Sequence, residues 1–324
     1  MTIVLTRKQV WIAVGIVTIG ILLLGAVVIY NNFKEIHQAA ADGSLTKVRM
    51  MVKFDRSLVN AKDKKGRTPL HYAVYHLEVA EFLLNNGADI NAKDEDGLTP
   101  LLWTTESSFV INGELVNIDP IKGTFKKGDN PLKGTPFDLP GRIRYQDFDQ
   151  EETIKLLLNH GADPNATDKH GRTLLHLKIA VPASLKQLLM ENGADPNAKD
   201  DEGQTPLFYA DSRQEIQFWL KNGARIDVTN NAGQTPLHIA ARQGQLEAIE
   251  ALLDKGINIH AQDKGGRTAL HLAATSDDHD AIKLLISRGA DASYLDKYGK
   301  KAEDLANYPS TRNLLRQHEV NVQP

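Results

Sequence analysis

The chain contains no cysteine, which excludes disulfides, thiolate nucleophiles and thiolate metal sites. That absence fits either redox compartment and localises nothing. An excess of one charge is also missing. Lys+Arg number 38 and Asp+Glu 41, a formal net charge of −3 over 324 residues, so no global field draws the chain to nucleic acid. Nor does the sequence hold a Gly-x-x-x-x-Gly-Lys-Ser/Thr phosphate loop, a His-Glu-x-x-His pair, a Gly-x-Ser-x-Gly elbow or a Gly-x-Gly-x-x-Gly turn. No catalytic residue, metal or cofactor is expected.

One long apolar run is present. After Arg7 and Lys8, no charge occurs from Val10 to Tyr30, a stretch that includes Trp11, Leu22, Leu23 and Leu24. At about 1.5 Å per residue, such a helix spans a hydrocarbon core of roughly 30 Å. A cleaved signal peptide has a shorter apolar region, of about 7–15 residues, and a small-x-small cleavage site. Val28-Ile29-Tyr30-Asn31-Asn32 offers none. The expectation is an uncleaved single-pass anchor within residues 1–33. Arg7, Lys8 and the amino terminus oppose Lys34, Lys47 and Arg49 on the far side. The balance favours a cytoplasmic N-terminus, with the rest in a periplasm or another exoplasmic space.

The remainder repeats. A Thr that opens the phrase Thr-Pro-Leu-His or a variant of it stands at Thr68, Thr99, Thr173, Thr205, Thr235 and Thr268, in steps of 31, 74, 32, 30 and 33. The long step is one repeat plus an insertion. A closing phrase recurs in register, as in Gly87-Ala88-Asp89-Ile90-Asn91-Ala92 and Gly193-Ala194-Asp195-Pro196-Asn197-Ala198. Within the clearest copy, Thr235 suits an N-cap and Pro236 the first helical position. Leu237, Ala240 and Ala241 form an apolar small-residue face. Gly244 breaks the chain, Leu246, Ile249, Leu252 and Leu253 return at helical spacing, and Gly256 suits a left-handed C′ position.

A period near 33 residues with Thr-Pro-Leu-His-x-Ala resembles the ankyrin-repeat family. The resemblance covers nearly everything after residue 33. It implies an all-α solenoid of stacked helix–turn–helix units with hairpin-like loops, spanning 34–324, following one N-terminal transmembrane helix. Some eight units are expected, counting both ends. The first, at 34–63, is degenerate, with Ile36, His37, Ala39 and Ala40 in the inner-helix slots. The second and fifth have lost two and three residues between their helices, and the fourth to seventh are otherwise expected to be regular. The last, from Lys297, has Lys301 in place of the Thr cap.

The insertion, at about 105–147, falls inside the third repeat. Phe109 to Val116 reads as two short strands about Asn112-Gly113. Loops this long are usually functional or disordered, and a neutral insertion projecting from the stack competes evenly with a functional one. Phe109, Ile111, Phe125, Phe137 and Leu139 give it something to bury, so partial order is expected.

His71, His176, His238 and His271 share one slot of the repeat. They stand along a stack and cannot converge on one metal ion. Bridging of backbone groups between neighbouring units is the expected role. His160, Asp168 and His170 lie close in sequence without ligand spacing.

The resemblance implies a scaffold that binds a protein partner through its concave face and loop tips. Mapped onto this sequence, the tip candidates are Lys65, Arg67, Asp96, Leu98, His170, Arg172, Glu202, Gln204, Gln234 and Arg267. The inner-helix candidates are Tyr72, Tyr75, Trp103, Tyr209 and Arg242, because aromatics and arginine anchor interfaces. The competing reading is that some of the aromatics pack between units. Two alternatives differ in class. The insertion could form a small catalytic or ligand site from Asp119, Asp129, Asp138 or Asp147 against Trp103. Alternatively, the apolar run could be the export signal of a secreted effector.

Overall fold

The computed structural model describes residues 36–104, 150–177 and 183–319, with the backbone of 108–111 and 114–117. The expected anchor residues Val10, Trp11, Leu22, Leu23, Leu24 and Tyr30 lie outside them, as do Asp119, Asp129, Asp138 and Asp147. Among the described residues no helix is long and apolar enough to cross a membrane. The chain forms two compact units, Met1–Ala166 and Thr167–Pro324.

In the first unit, α1 (36–41) pairs with α2 (Leu45–Phe54), α3 (Pro69–Ala73) with α4 (Leu77–Asn85), and α5 (Pro100–Trp103) with α6 (Gln150–Asn159). Between α5 and α6, β1 (Ser108–Ile111) and β2 (Glu114–Asn117) form an antiparallel hairpin with Phe109 opposite Val116, as the Asn112-Gly113 pair implies. In the second unit, α7 (Ala183–Glu191) and α8 (Arg213–Lys221) are each preceded by a 3₁₀ turn, at Leu174–His176 and Pro206–Tyr209. Then α9 (Pro236–Gln243) pairs with α10 (Leu246–Asp254), α11 (Ala269–Thr275) with α12 (His279–Ser287), and α13 (Ala302–Leu305) with α14 (Pro309–Glu319).

The core of each unit is the seam between pairs. Leu70, Leu83, Leu101, Ile154 and Leu157 fill it in the first, and Ala241, Ile249, Ala273, Ile282 and Leu285 in the second. Each larger aliphatic side chain contributes about 1.5–3 kcal/mol by leaving water. Small residues on the inner helices let neighbouring pairs approach. Ala240 and Ala241 are buried as their spacing implies, whereas Leu246 is exposed at the start of α10. Gly256 has φ +83, and the Ile257 N–H donates to the Leu252 carbonyl, closing the expected left-handed C-cap.

The fourth repeat departs from the regular pattern expected of it. Among the described residues its inner element is the 3₁₀ turn, after which Leu177 is extended at ψ 121°. The fifth repeat is shortened in the same way. Ala210 is extended, and Ser212 already caps α8 by accepting the Glu215 N–H, so the lost residues leave no room for an α-helical turn.

Candidate functional site

Each loop tip is built by one side chain. Asp-x-x-Gly or Asn-x-x-Gly recurs from Asp63 to Gly66, Asp94 to Gly97, Asp168 to Gly171, Asp200 to Gly203, Asn230 to Gly233, Asp263 to Gly266 and Asp296 to Gly299. One oxygen of the first residue accepts the N–H groups two and four positions on. Asp200 Oδ1 takes those of Glu202 and Gln204 at 3.0 and 2.9 Å, and Asp263 Oδ1 those of Gly265 and Arg267 at 2.8 and 2.9 Å. The Gly is left-handed, at φ +74 in Gly203, which only glycine adopts without strain.

The second oxygen reaches into the repeat. Asp63 Oδ2 accepts from Arg67 Nε and from the Tyr72 hydroxyl, both at 2.7 Å. Asp94 Oδ2 accepts from Trp103 Nε1 at 2.9 Å, and Asp200 Oδ2 from the Tyr209 hydroxyl at 2.6 Å. Burial pushes the Asp63 carboxyl up, but the bonds from Arg67, Tyr72 and the tip amides outweigh it and hold it below the ordinary carboxylate range. Asp168 and Asp263 are lowered by the same balance, with Arg172 and Arg267 as the cations.

Neighbouring tips within a unit are joined by single backbone bonds. The Glu95 N–H donates to the Lys65 carbonyl in the first unit. In the second, Asp201 donates to His170, Asn231 to Glu202, Lys264 to Ala232 and Lys297 to Gly265, at 2.8–3.0 Å. This row fixes which residues face outward.

Lys65, Asp96, His170 and Glu202 occupy the position two after the Asp, and all four are exposed. Arg67, Leu98, Arg172, Gln204, Gln234 and Arg267 occupy the position four after it, and none of these is exposed. That residue is held at its N–H by the tip Asp or Asn; Gln204 and Gln234 are buried there, while the side chains of Arg172 and Arg267 stay 41% and 39% exposed. Of these arginines, Arg67 goes furthest inward. It is 7% exposed and packs over the rings of Tyr72 and Trp103, at 5.0 and 5.7 Å from their centroids.

The inner-helix candidates divide as well. Tyr72 and Trp103, expected to reach a partner, are instead 6% and 2% exposed and belong to the seam between repeats. Their polar atoms are occupied by Asp63 and Asp94. Tyr75 and Tyr209 are half-buried, and the Tyr75 hydroxyl donates to the Trp103 carbonyl at 3.4 Å. Arg242, near the end of α9, is exposed, and its guanidinium has no hydrogen bond or ion pair with the described residues.

Around Arg242 the tips of the fifth and sixth repeats enclose an open polar cleft of about 350 Å³. Asp201, Glu202, Gln204, Asn230, Asn231, Ala232, Gln234 and Arg242 line it. Carboxylates of Asp201 and Glu202 share this lining with the Arg242 cation. An open polar trough suits an extended polypeptide better than a small apolar ligand, which favours an enclosed hydrophobic pocket. The recurring Asp-x-x-Gly was the signal in the sequence that could have separated outward from inward tip residues.

The histidines bridge repeats. Thr68 and His71, Thr173 and His176, Thr235 and His238, and Thr268 and His271 form capping boxes in which histidine is the N3 member. The Thr N–H donates to Nδ1 at 3.0–3.2 Å. Nε2 therefore carries the proton, and it donates to the carbonyl of Leu98, Gln204, Arg267 or Lys300 in the next repeat at 3.0–3.2 Å. Burial pushes His71 down to about 4 and holds His176, His238 and His271 below the ordinary imidazole range.

Sequence models of ankyrin repeats match residues 51–101 in one form and 145–217, 179–263 and 211–296 in another, together more than half of the chain. The chain is an ankyrin-repeat protein. It is similar to an ankyrin repeat protein of fowlpox virus (strain NVSL), at 32% identity over 127 residues. That match takes in 39% of this chain and 17% of the viral protein. Among solved structures, the ankyrin repeat domain of Bcl-3, a member of the IkappaB protein family, superposes with a TM-score of 0.54 at 24% identity. The superposition covers 78% of this chain and all of that domain. This likeness shows an ankyrin-repeat fold.

Proposed function

We propose that this ankyrin-repeat protein is a non-enzymatic scaffold, held on a membrane by residues 10–30, that captures a protein partner at its loop tips and exposed inner-helix positions. The observation that carries the reading is the cleft around Arg242, where a free cation stands in an open polar trough between two tips. A partner segment supplying a carboxylate to Arg242 and amides to Glu202 and Asn231 would fill it. Buried arginine–carboxylate pairs are among the stronger interface contacts. The insertion at 105–147 is assigned a second contact with the same partner.

The uncharged run from Val10 to Tyr30 supports the membrane assignment, and Arg7 and Lys8 support an N-in orientation that puts the repeats in a periplasm or another exoplasmic space. A carbonate wash of membranes tests the anchor, and protease accessibility of the repeats tests the side.

Capture is tested with Arg242→Glu in the full chain. The exposed site permits reversal without unfolding, whereas Arg67 is buried and its reversal would collapse the seam. The variant is expected to lose the partner that the parent chain captures while keeping its unfolding midpoint. Retention of every partner by Arg242→Glu would remove the cleft from the interface.

A further inference from the structure

The outer helix of the first repeat carries two large apolar side chains that the fold does not use. Val48 and Val52 bury one side of α2, and Met50 and Phe54 project from the opposite side at 67% and 81% exposure. Met50 and Phe54 are four residues apart, one above the other on a single face. By the same helical spacing Lys47 and Lys53 flank them on either side, and both are exposed. Arg49 and Arg56 extend the basic rim, with the Arg49 guanidinium 5.6 Å over the Phe82 ring of α4.

From residue 45 to residue 60 these four cations face a single carboxylate, Asp55, which is tied to the Ser57 amide and hydroxyl. Lys47, Lys53 and Arg56 make no ion pair among the described residues. Glu78 and Glu81 of α4 are the nearest acids on the packed neighbour in sequence terms, and both are on its exposed side.

An exposed apolar pair rimmed by lysine is the pattern of a helix lying in a lipid headgroup layer. Lysine and arginine beside a membrane are drawn to anionic headgroups. Position in the chain points the same way. Five residues separate Tyr30 from Ile36 in sequence, a length of chain that spans at most about 20 Å. Packed helices lie about 8–10 Å apart, which keeps α2 within reach of the same surface.

We infer that the exposed face of α2 docks on an acidic phospholipid surface, with Met50 and Phe54 entering the headgroup layer and Lys47 and Lys53 pairing with lipid phosphates. This contact rests on the membrane-anchored reading above. It would hold the first repeat flat against the bilayer and leave the loop tips free for a partner.

The absence of cysteine makes the test direct. The full chain carrying Met50→Cys with a nitroxide label is reconstituted in phosphatidylcholine vesicles, with and without phosphatidylglycerol. Collisions of the label with oxygen, which partitions into lipid, are compared with collisions with a water-soluble nickel chelate. In the acidic vesicles the oxygen-to-nickel ratio is expected to rise several-fold, and Lys47→Glu with Lys53→Glu should return it to the value in neutral vesicles. A label equally open to nickel in both vesicles overturns the contact. A label shielded from both probes shows that protein covers this face, and also overturns it. A carbonate wash of the same vesicles reads the anchor separately. Extraction of the chain removes the anchor, while the collision ratio still decides whether α2 meets lipid.

Discussion

His238 and Arg267, 29 residues apart, are joined by a 3.0 Å hydrogen bond from the imidazole Nε2 to the backbone carbonyl. The ring is buried, and its Nδ1 is held by the N–H and hydroxyl of Thr235. One side chain thus caps its own helix and ties the sixth repeat to the seventh.

Replacing His238 with leucine should leave the Thr235 amide without a partner, while the Arg267 carbonyl keeps the Asp263 N–H as its donor. An unsatisfied buried group costs about 1–3 kcal/mol, and a loss of that size is expected. Urea unfolding would show a lower midpoint. An unchanged midpoint would mean that water replaces the ring at no cost, and the bridge would have no energetic role.

Acid should weaken the stack in two stages. His71, His176, His238 and His271 all have folded-state values below the unfolded imidazole value near 6.5, because burial disfavours the charged ring. Their contribution is intact above that value. As pH falls through it the unfolded chain takes up protons that the folded chain refuses, and stability drops. For His71 the slope approaches about 1.4 kcal/mol per pH unit and levels off near pH 4, and the other three act in the same direction. Asp63, Asp168 and Asp263 are lowered from 3.8, so their contribution is lost only below it. Unfolding midpoints measured between pH 7 and 5 should already decline. A flat profile there would contradict buried neutral imidazoles.

Gly203→Ala tests the row of tips. The residue sits at φ +74, and an added Cβ would lie 2.9 Å from the Asn231 N atom, which donates to the Glu202 carbonyl. Left-handed backbone costs a residue with Cβ about 1–2 kcal/mol, and the crowding adds to it. Hydrogen exchange at the Asn231 amide should accelerate, while amides in α12 keep their protection. Unaltered exchange at Asn231 would show that the tip loops are not coupled.

Periodicity made the repeats legible. Thr, Pro, Leu, His and Gly recur because each repeat needs the same cap, first turn, packing residue, bridge and left-handed loop. The bridging role of the histidines followed from their shared slot. The fourth inner helix was less legible: Thr173-Leu174-Leu175-His176 opens like its neighbours, yet Leu177 is already extended.

The order of elements, the position of the insertion and the apolar run from Val10 to Tyr30 are properties of the sequence alone, because local patterns carry them. The facing of individual side chains is not. Arg67 and Arg267 both stand four residues after a tip Asp, yet Arg67 is buried over Tyr72 and Trp103 while the Arg267 side chain is 39% exposed. The difference lies in what the neighbouring repeat places against each. Trp103 needed Asp94 to hold its indole before it could be buried rather than offered to a partner. Such choices depend on contacts made across repeats, and only the tertiary structure decides them.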